Sequence, residues 1–264
     1  MAKHTINGHQ IHYEAHGKGQ PLLLIHSFLC CTEMWQHQIE HLSQEYRVIV
    51  MDIRGHGQSS PSSPHSIYDL VDDAVGLLDA EGIESAVWLG LSIGGMISMR
   101  AALTHPDRVK GLVLLSTDSH AESFLVKVER RVLGKVVKYL GVLPVIIPVL
   151  RKMFGKTTHR SNKELIQTWR QKFLKVHPGS MLESLQALLK RDDVSSRLRT
   201  VSVPTLIIHG TEDRAIPVAL GKNIKTHLPH ADLKIMDKSG HLLTLESPEE
   251  VNAHISNFLA QAKL

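Results

Sequence analysis

The sequence predicts an α/β fold: a mostly parallel eight-stranded sheet, helices on both faces, and one inserted helical cap. Three observations carry this expectation. Short apolar, β-branched runs alternate with segments of helical spacing along most of the chain. Glycine-containing loops directly follow several of those runs. One long stretch, residues 119–200, abandons the alternation and is helical by composition.

Taken in order, Thr5-Ile6 and Ile11–Glu14 flank Asn7-Gly8, a favoured hairpin turn pair. Pro21–His26 is an apolar strand, Met34–Leu42 has helical spacing, and Tyr46–Met51 is β-rich. Ile67–Glu81 repeats Leu70, Ala74, Leu77 and Leu78 on one helical face. Ala86–Leu91 is a strand, Gly95–Thr104 a helix and Val109–Ser116 a strand. After the insertion come strand Thr205–His209, helix Ala219–Leu228, strand Asp232–Met236 and helix Pro248–Ala262. Residues 1–118 and 201–264 therefore form the expected core, and 119–200 the cap.

At 264 residues the chain can bury one large core. The N-terminus lacks the apolar region of a signal peptide, and no run is long enough to span a bilayer. Cys30 and Cys31 are adjacent, so no disulfide framework is implied, and a reducing cytoplasm is the expected location. Charge is uneven: residues 120–200 hold 17 Lys and Arg against 6 Asp and Glu. That basic cap either draws in anionic substrates or is a solvated helical surface. Its run Val142–Phe154 is a buried helix, an acyl-pocket wall or a weak membrane-surface contact. No module or aromatic-interleaved patch supports nucleic-acid binding.

Gly90-Leu91-Ser92-Ile93-Gly94 sits between a strand and a helix. Glycines permit a sharp turn there, and the helix N-terminus beneath it offers free N–H groups. Ser92 is the candidate nucleophile. Asp213, after strand Leu206–His209, and His241, after the strand ending at Met236, are the candidate acid and base. A neutral imidazole removes the serine proton, and a carboxylate orients and charge-stabilises the ring. Oxyanion donors are expected at Ile93, which follows the nucleophile, and at Phe28 in the loop after Pro21–His26. Asp118 is the alternative acid. Glu212 is taken as a solvated neighbour of Asp213, Cys30 as a packing residue, and His26 and His56 as loop formers. No metal or organic cofactor is required.

Five motifs in order make the chain resemble an α/β-hydrolase over nearly its whole length. They are Leu24–Phe28, Asp52–Ser59 in the pattern D-x-R-G-x-G-x-S, Gly90–Gly94, Gly210-x-x-Asp213 and Gly240-His241. His26-Ser27, Met34-Trp35 and Gly90–Met96 are similar to 3-oxoadipate enol-lactonases and their esterase relatives. The resemblance implies a small-molecule ester or lactone substrate, with Ser27 and Trp35 among its contacts, and a monomer or homodimer. C–C bond hydrolases and cofactor-free haloperoxidase-like enzymes share these motifs and stay open as alternatives. A non-catalytic binding protein on the same fold is the third.

Overall fold

The computed structural model describes residues 2–264. Eight strands form one sheet in the order β1-β2-β4-β3-β5-β6-β7-β8. They are β1 (Ala2–Ile6), β2 (His9–His16), β3 (Pro21–Ile25), β4 (Arg47–Met51), β5 (Ala86–Leu91), β6 (Val109–Leu115), β7 (Thr205–Gly210) and β8 (Asp232–Met236). β1 and β2 join antiparallel, β2 meets β4 antiparallel, and all later pairs are parallel.

Local chemistry explains the elements. Asn7 and Gly8 both take positive φ, 49° and 80°, which matches the right-handed twist of the β1–β2 hairpin. In β3 alternate residues separate cleanly: Leu23 and Ile25 join the core on one face, Leu22 and Leu24 the core on the other. Burial on both faces is why the parallel strands read as continuous apolar runs. The edge strand β8 instead carries exposed Asp232 and Lys234, charges that discourage further strand pairing.

The core helices are α1 (Gln36–Leu42), α2 (Ile67–Ala80) and α3 (Ile93–Thr104) before the insertion. Ser66 and Asp69 close a capping box at the start of α2. The expected helix from Met34 is split, since Thr32–Trp35 is a 3-10 turn and only then does α1 begin. Between β6 and β7 come α4 (Phe124–Leu140), α5 (Ile146–Met153), α6 (Lys156–Ser161), α7 (Lys163–Leu174) and α8 (Pro178–Lys190). α9 (Val218–His227), α10 (Leu243–Glu246) and α11 (Pro248–Ala262) complete the chain. Among the described residues no helix is long and apolar enough to cross a membrane.

Candidate active site

Ser92 lies between β5 and α3 with φ 57° and ψ −113°, a conformation costly for a residue with a side chain. Its neighbours show why it persists. A Cβ on Gly90 would meet the Gly94 carbonyl carbon at 2.2 Å, and one on Gly94 would meet the Ile25 oxygen at 2.1 Å. Only glycines let the turn pack this closely against β3. The Ser92 amide donates to the Leu115 oxygen at 2.9 Å, and Thr117 Oγ1 donates to the Ser92 oxygen at 2.7 Å. Thus β6 and its following loop pin the turn from the side.

Asp213 and His241 come together from the loops after β7 and β8. His241 Nδ1 is 2.9 Å from Asp213 Oδ2. Asp213 Oδ1 accepts from the amides of Ala215 and Ile216, each at 2.9 Å. His209, at the end of β7, stands 3.7 Å behind Asp213 Oδ2 and bonds through Nε2 to the Ile216 oxygen at 2.8 Å. Burial lowers the His209 pKa, so its ring is neutral and Nε2–H donates to that carbonyl. It steadies the loop whose amides grip Asp213. A histidine inside an apolar strand, just before Gly210-x-x-Asp213, was its only signal in the sequence.

Ser92 and His241 line one cavity of about 370 Å³. Ser27 and Phe28 line it too. No hydrogen bond joins Ser92 to His241 among the described residues. The amides of Ile93 and Phe28 likewise donate to no protein group among them, as the start of a helix and an open turn allow. His26 supports that turn: Nδ1 donates to the Ser27 oxygen at 2.7 Å, and Nε2 accepts from the Ile53 amide at 3.0 Å. Burial lowers its pKa, which keeps the ring neutral and able to play both parts.

Two expectations, for Trp35 and Glu212, need correction, and the alternative acid Asp118 is engaged elsewhere. Trp35 does not reach the cavity; it is fully buried in the hydrophobic core on the α1 side of the sheet. The 3-10 turn aims the indole into the core behind the loop, and its neighbour Met34 meets the site instead, accepting the Ser27 amide on Sδ at 3.3 Å. Asp118 does not reach His241; it pairs with Arg191 at 3.2 Å and with His120 at 2.7 Å. Glu212 is part-buried and accepts from the amide and hydroxyl of Thr157 at 2.7 and 2.8 Å.

The remaining walls are α4, α5 and α8, with Leu133, Val137, Val149, Met153, Met181 and Leu185. The Val142–Phe154 run thus serves partly as a pocket wall, while Leu150 and Phe154 are buried. Glu246 holds the turn into α6, accepting from Gly155 N at 2.8 Å and Thr158 Oγ1 at 2.5 Å. With Glu212 it ties the inserted helices to the strand-end loops. Of the basic residues here, Arg130 pairs with Glu122 at 2.6 Å and Lys152 with Glu129 at 2.5 Å. Cys30 is buried and its thiol pKa is pushed up by burial, which leaves it a packing group. Among the described residues no three His, Cys, Asp or Glu side chains are grouped to hold a metal ion.

Comparisons with known proteins agree with this architecture. A family model described as the alpha/beta hydrolase fold matches residues 20–141. The chain is 27% identical to 3-oxoadipate enol-lactonase 2 of Acinetobacter baylyi, over 92% of this chain and 90% of that protein. It superposes on a thermophilic esterase from Thermogutta terrifontis with a TM-score of 0.94 and 29% identity, covering 99% and 98% of the two chains. The enol-lactonase from Burkholderia xenovorans LB400 gives 0.91 and 26%, covering 98% and 100%. Fold, sheet order and likeness converge: the chain has the α/β-hydrolase fold and is a hydrolase resembling enol-lactonases and esterases.

Proposed function

We propose that the protein hydrolyses a carboxylic ester or lactone with an apolar acyl part, through an acyl-enzyme on Ser92. The observation that carries this reading is a strained serine sharing a mostly apolar cavity with a histidine bonded to a buried carboxylate. Residues 119–200 act as the cap that walls the acyl pocket.

The steps follow from the groups present. Substrate entry turns the Ser92 hydroxyl onto His241 Nε2. Oγ attacks the carbonyl carbon, and its proton passes to the imidazole. Asp213 favours the resulting imidazolium. The oxygen of the tetrahedral intermediate takes hydrogen bonds from the Ile93 and Phe28 amides. His241 then gives its proton to the leaving alkoxide, and the C–O bond breaks. Water repeats the sequence on the acyl-enzyme, His241 taking its proton, and the acid departs from a restored Ser92.

Ser92→Ala tests the reading. It should abolish turnover of short p-nitrophenyl esters and labelling by a fluorophosphonate, with the fold unchanged by circular dichroism. Full esterase activity in that variant would overturn the proposal. An ester, lactone and vinylogous-diketone panel separates this chemistry from C–C bond cleavage on the same residues.

A further inference from the structure

Among the described residues nine large apolar side chains are strongly exposed, and eight of them fall between residues 124 and 147. Six lie on α4: Phe124, Leu125, Val128, Val132, Tyr139 and Leu140. Phe124 and Leu125 are 75% and 79% exposed. Leu143, in the 3-10 turn after α4, and Ile147, on α5, are exposed as well. At 100° per residue, the six α4 positions form a stripe along one side of a helix about 26 Å long. The opposite side of α4, with Val126, Leu133 and Val137, lines the cavity. α4 therefore has two apolar faces, and only the inner one is covered by the protein.

Charge decides what covers the outer one. Lys127, Arg131 and Lys138 border the stripe and Lys135 lies within it. The only acid on α4 is Glu129, which is neutralised by Lys152 at 2.5 Å. A second copy laid on this face would bring these cations against one another. A lipid surface with anionic headgroups takes both features: acyl chains receive the stripe, and headgroups receive the cations.

We propose that the outer face of α4 docks this protein on an anionic membrane surface. The helix lies flat in the headgroup layer, so the wall of the cavity stands at the edge of the bilayer. An apolar-chain substrate held there has a short route into the pocket. The docking does not depend on Ser92, so Ser92→Ala should bind as the wild type does.

The test uses the full chain, sedimented with vesicles of phosphatidylcholine alone or of phosphatidylcholine and phosphatidylglycerol in equal parts. The expected result is binding to the anionic vesicles only, weakened on the order of tenfold by about 0.5 M salt. Leu125→Ser with Val132→Ser, and separately Lys135→Glu with Lys138→Glu, should each weaken binding on the order of tenfold or more. Turnover of a water-soluble short ester should stay unchanged, because none of the four residues lines the cavity. Failure of the wild type to bind anionic vesicles, or unchanged binding by both double variants, would overturn the proposal. So would sedimentation velocity showing a wild-type dimer that Leu125→Ser with Val132→Ser splits, because the face would then join two copies.

Discussion

Asp213 divides its two oxygens between tasks: Oδ2 meets His241 Nδ1 at 2.9 Å, and Oδ1 takes two amide hydrogen bonds from Ala215 and Ile216. The amides fix the carboxylate plane, and the plane fixes the ring. Asp213→Asn keeps an oxygen for the amides but offers His241 an N–H where it needs an acceptor. We expect kcat to fall by about 10³–10⁴-fold with little change in fold. Asp118→Asn is the contrast. It weakens the buried Arg191 pair, so it should lower thermal stability while retaining most of kcat. Steady-state kinetics and melting curves on both variants check the assignment.

Acid should unfold this protein through histidines. Burial lowers the pKa of His26, His56 and His209, that of His56 to about 3. Unfolded, each returns to the ordinary value of 6.5. The unfolded chain therefore binds more protons, and stability is full above pH 6.5 and falls as pH drops below it. Up to three protons taken up together give a slope of at most about 4 kcal/mol per pH unit. Melting temperature measured from pH 7 to 5 should decline, and His56→Asn should flatten the decline by about a third. A flat profile in the wild type would refute the argument.

How much of this could be read beforehand depends on the range of the interaction. Ser92, Asp213 and His241 each follow a strand, so local pattern and chain order were enough to nominate them. The hairpin at Asn7-Gly8 was equally local. Trp35 is expected at the substrate only through the likeness of Met34-Trp35 to enol-lactonases, and such a likeness does not carry side-chain direction. Which way a short 3-10 turn points its indole depends on what it packs against, β4 and α10, and α10 lies far away in sequence. The bonding roles of Glu246 and Glu212 are not legible for the same reason, since their partners lie at 155–158. The double-sided character of α4 is likewise not a local property. Periodicity shows that an apolar stripe exists, but only the packed structure shows which stripe is covered.

Glu246 carries a pH signature of its own. Burial raises its pKa above 4.5, and the donors Thr158 and Gly155 only partly offset this. A carboxyl with a raised folded pKa contributes stability that is complete below 4.5 and is lost as pH rises through the folded value. Glu246→Gln removes the charge while keeping an oxygen for both donors. The variant should melt higher than the wild type at pH 7, and the gap should close as pH approaches 4.5. A lower melting temperature at pH 7 would mean that the charge itself holds α6.

The apolar cavity makes a prediction about chain length. Each methylene buried against Leu133, Val149 or Met181 contributes about 0.8 kcal/mol, or roughly fourfold in binding. If that energy is expressed in the transition state, kcat/KM should rise about fourfold per added acyl carbon until the cavity is full. Beyond that point it should level off or fall. Leu133→Phe narrows the wall contributed by α4 without touching Ser92, Asp213 or His241. It should move the optimum to shorter chains while leaving activity on an acetyl ester nearly unchanged. An equal loss across all chain lengths would mean that α4 supports the site but does not measure the acyl group.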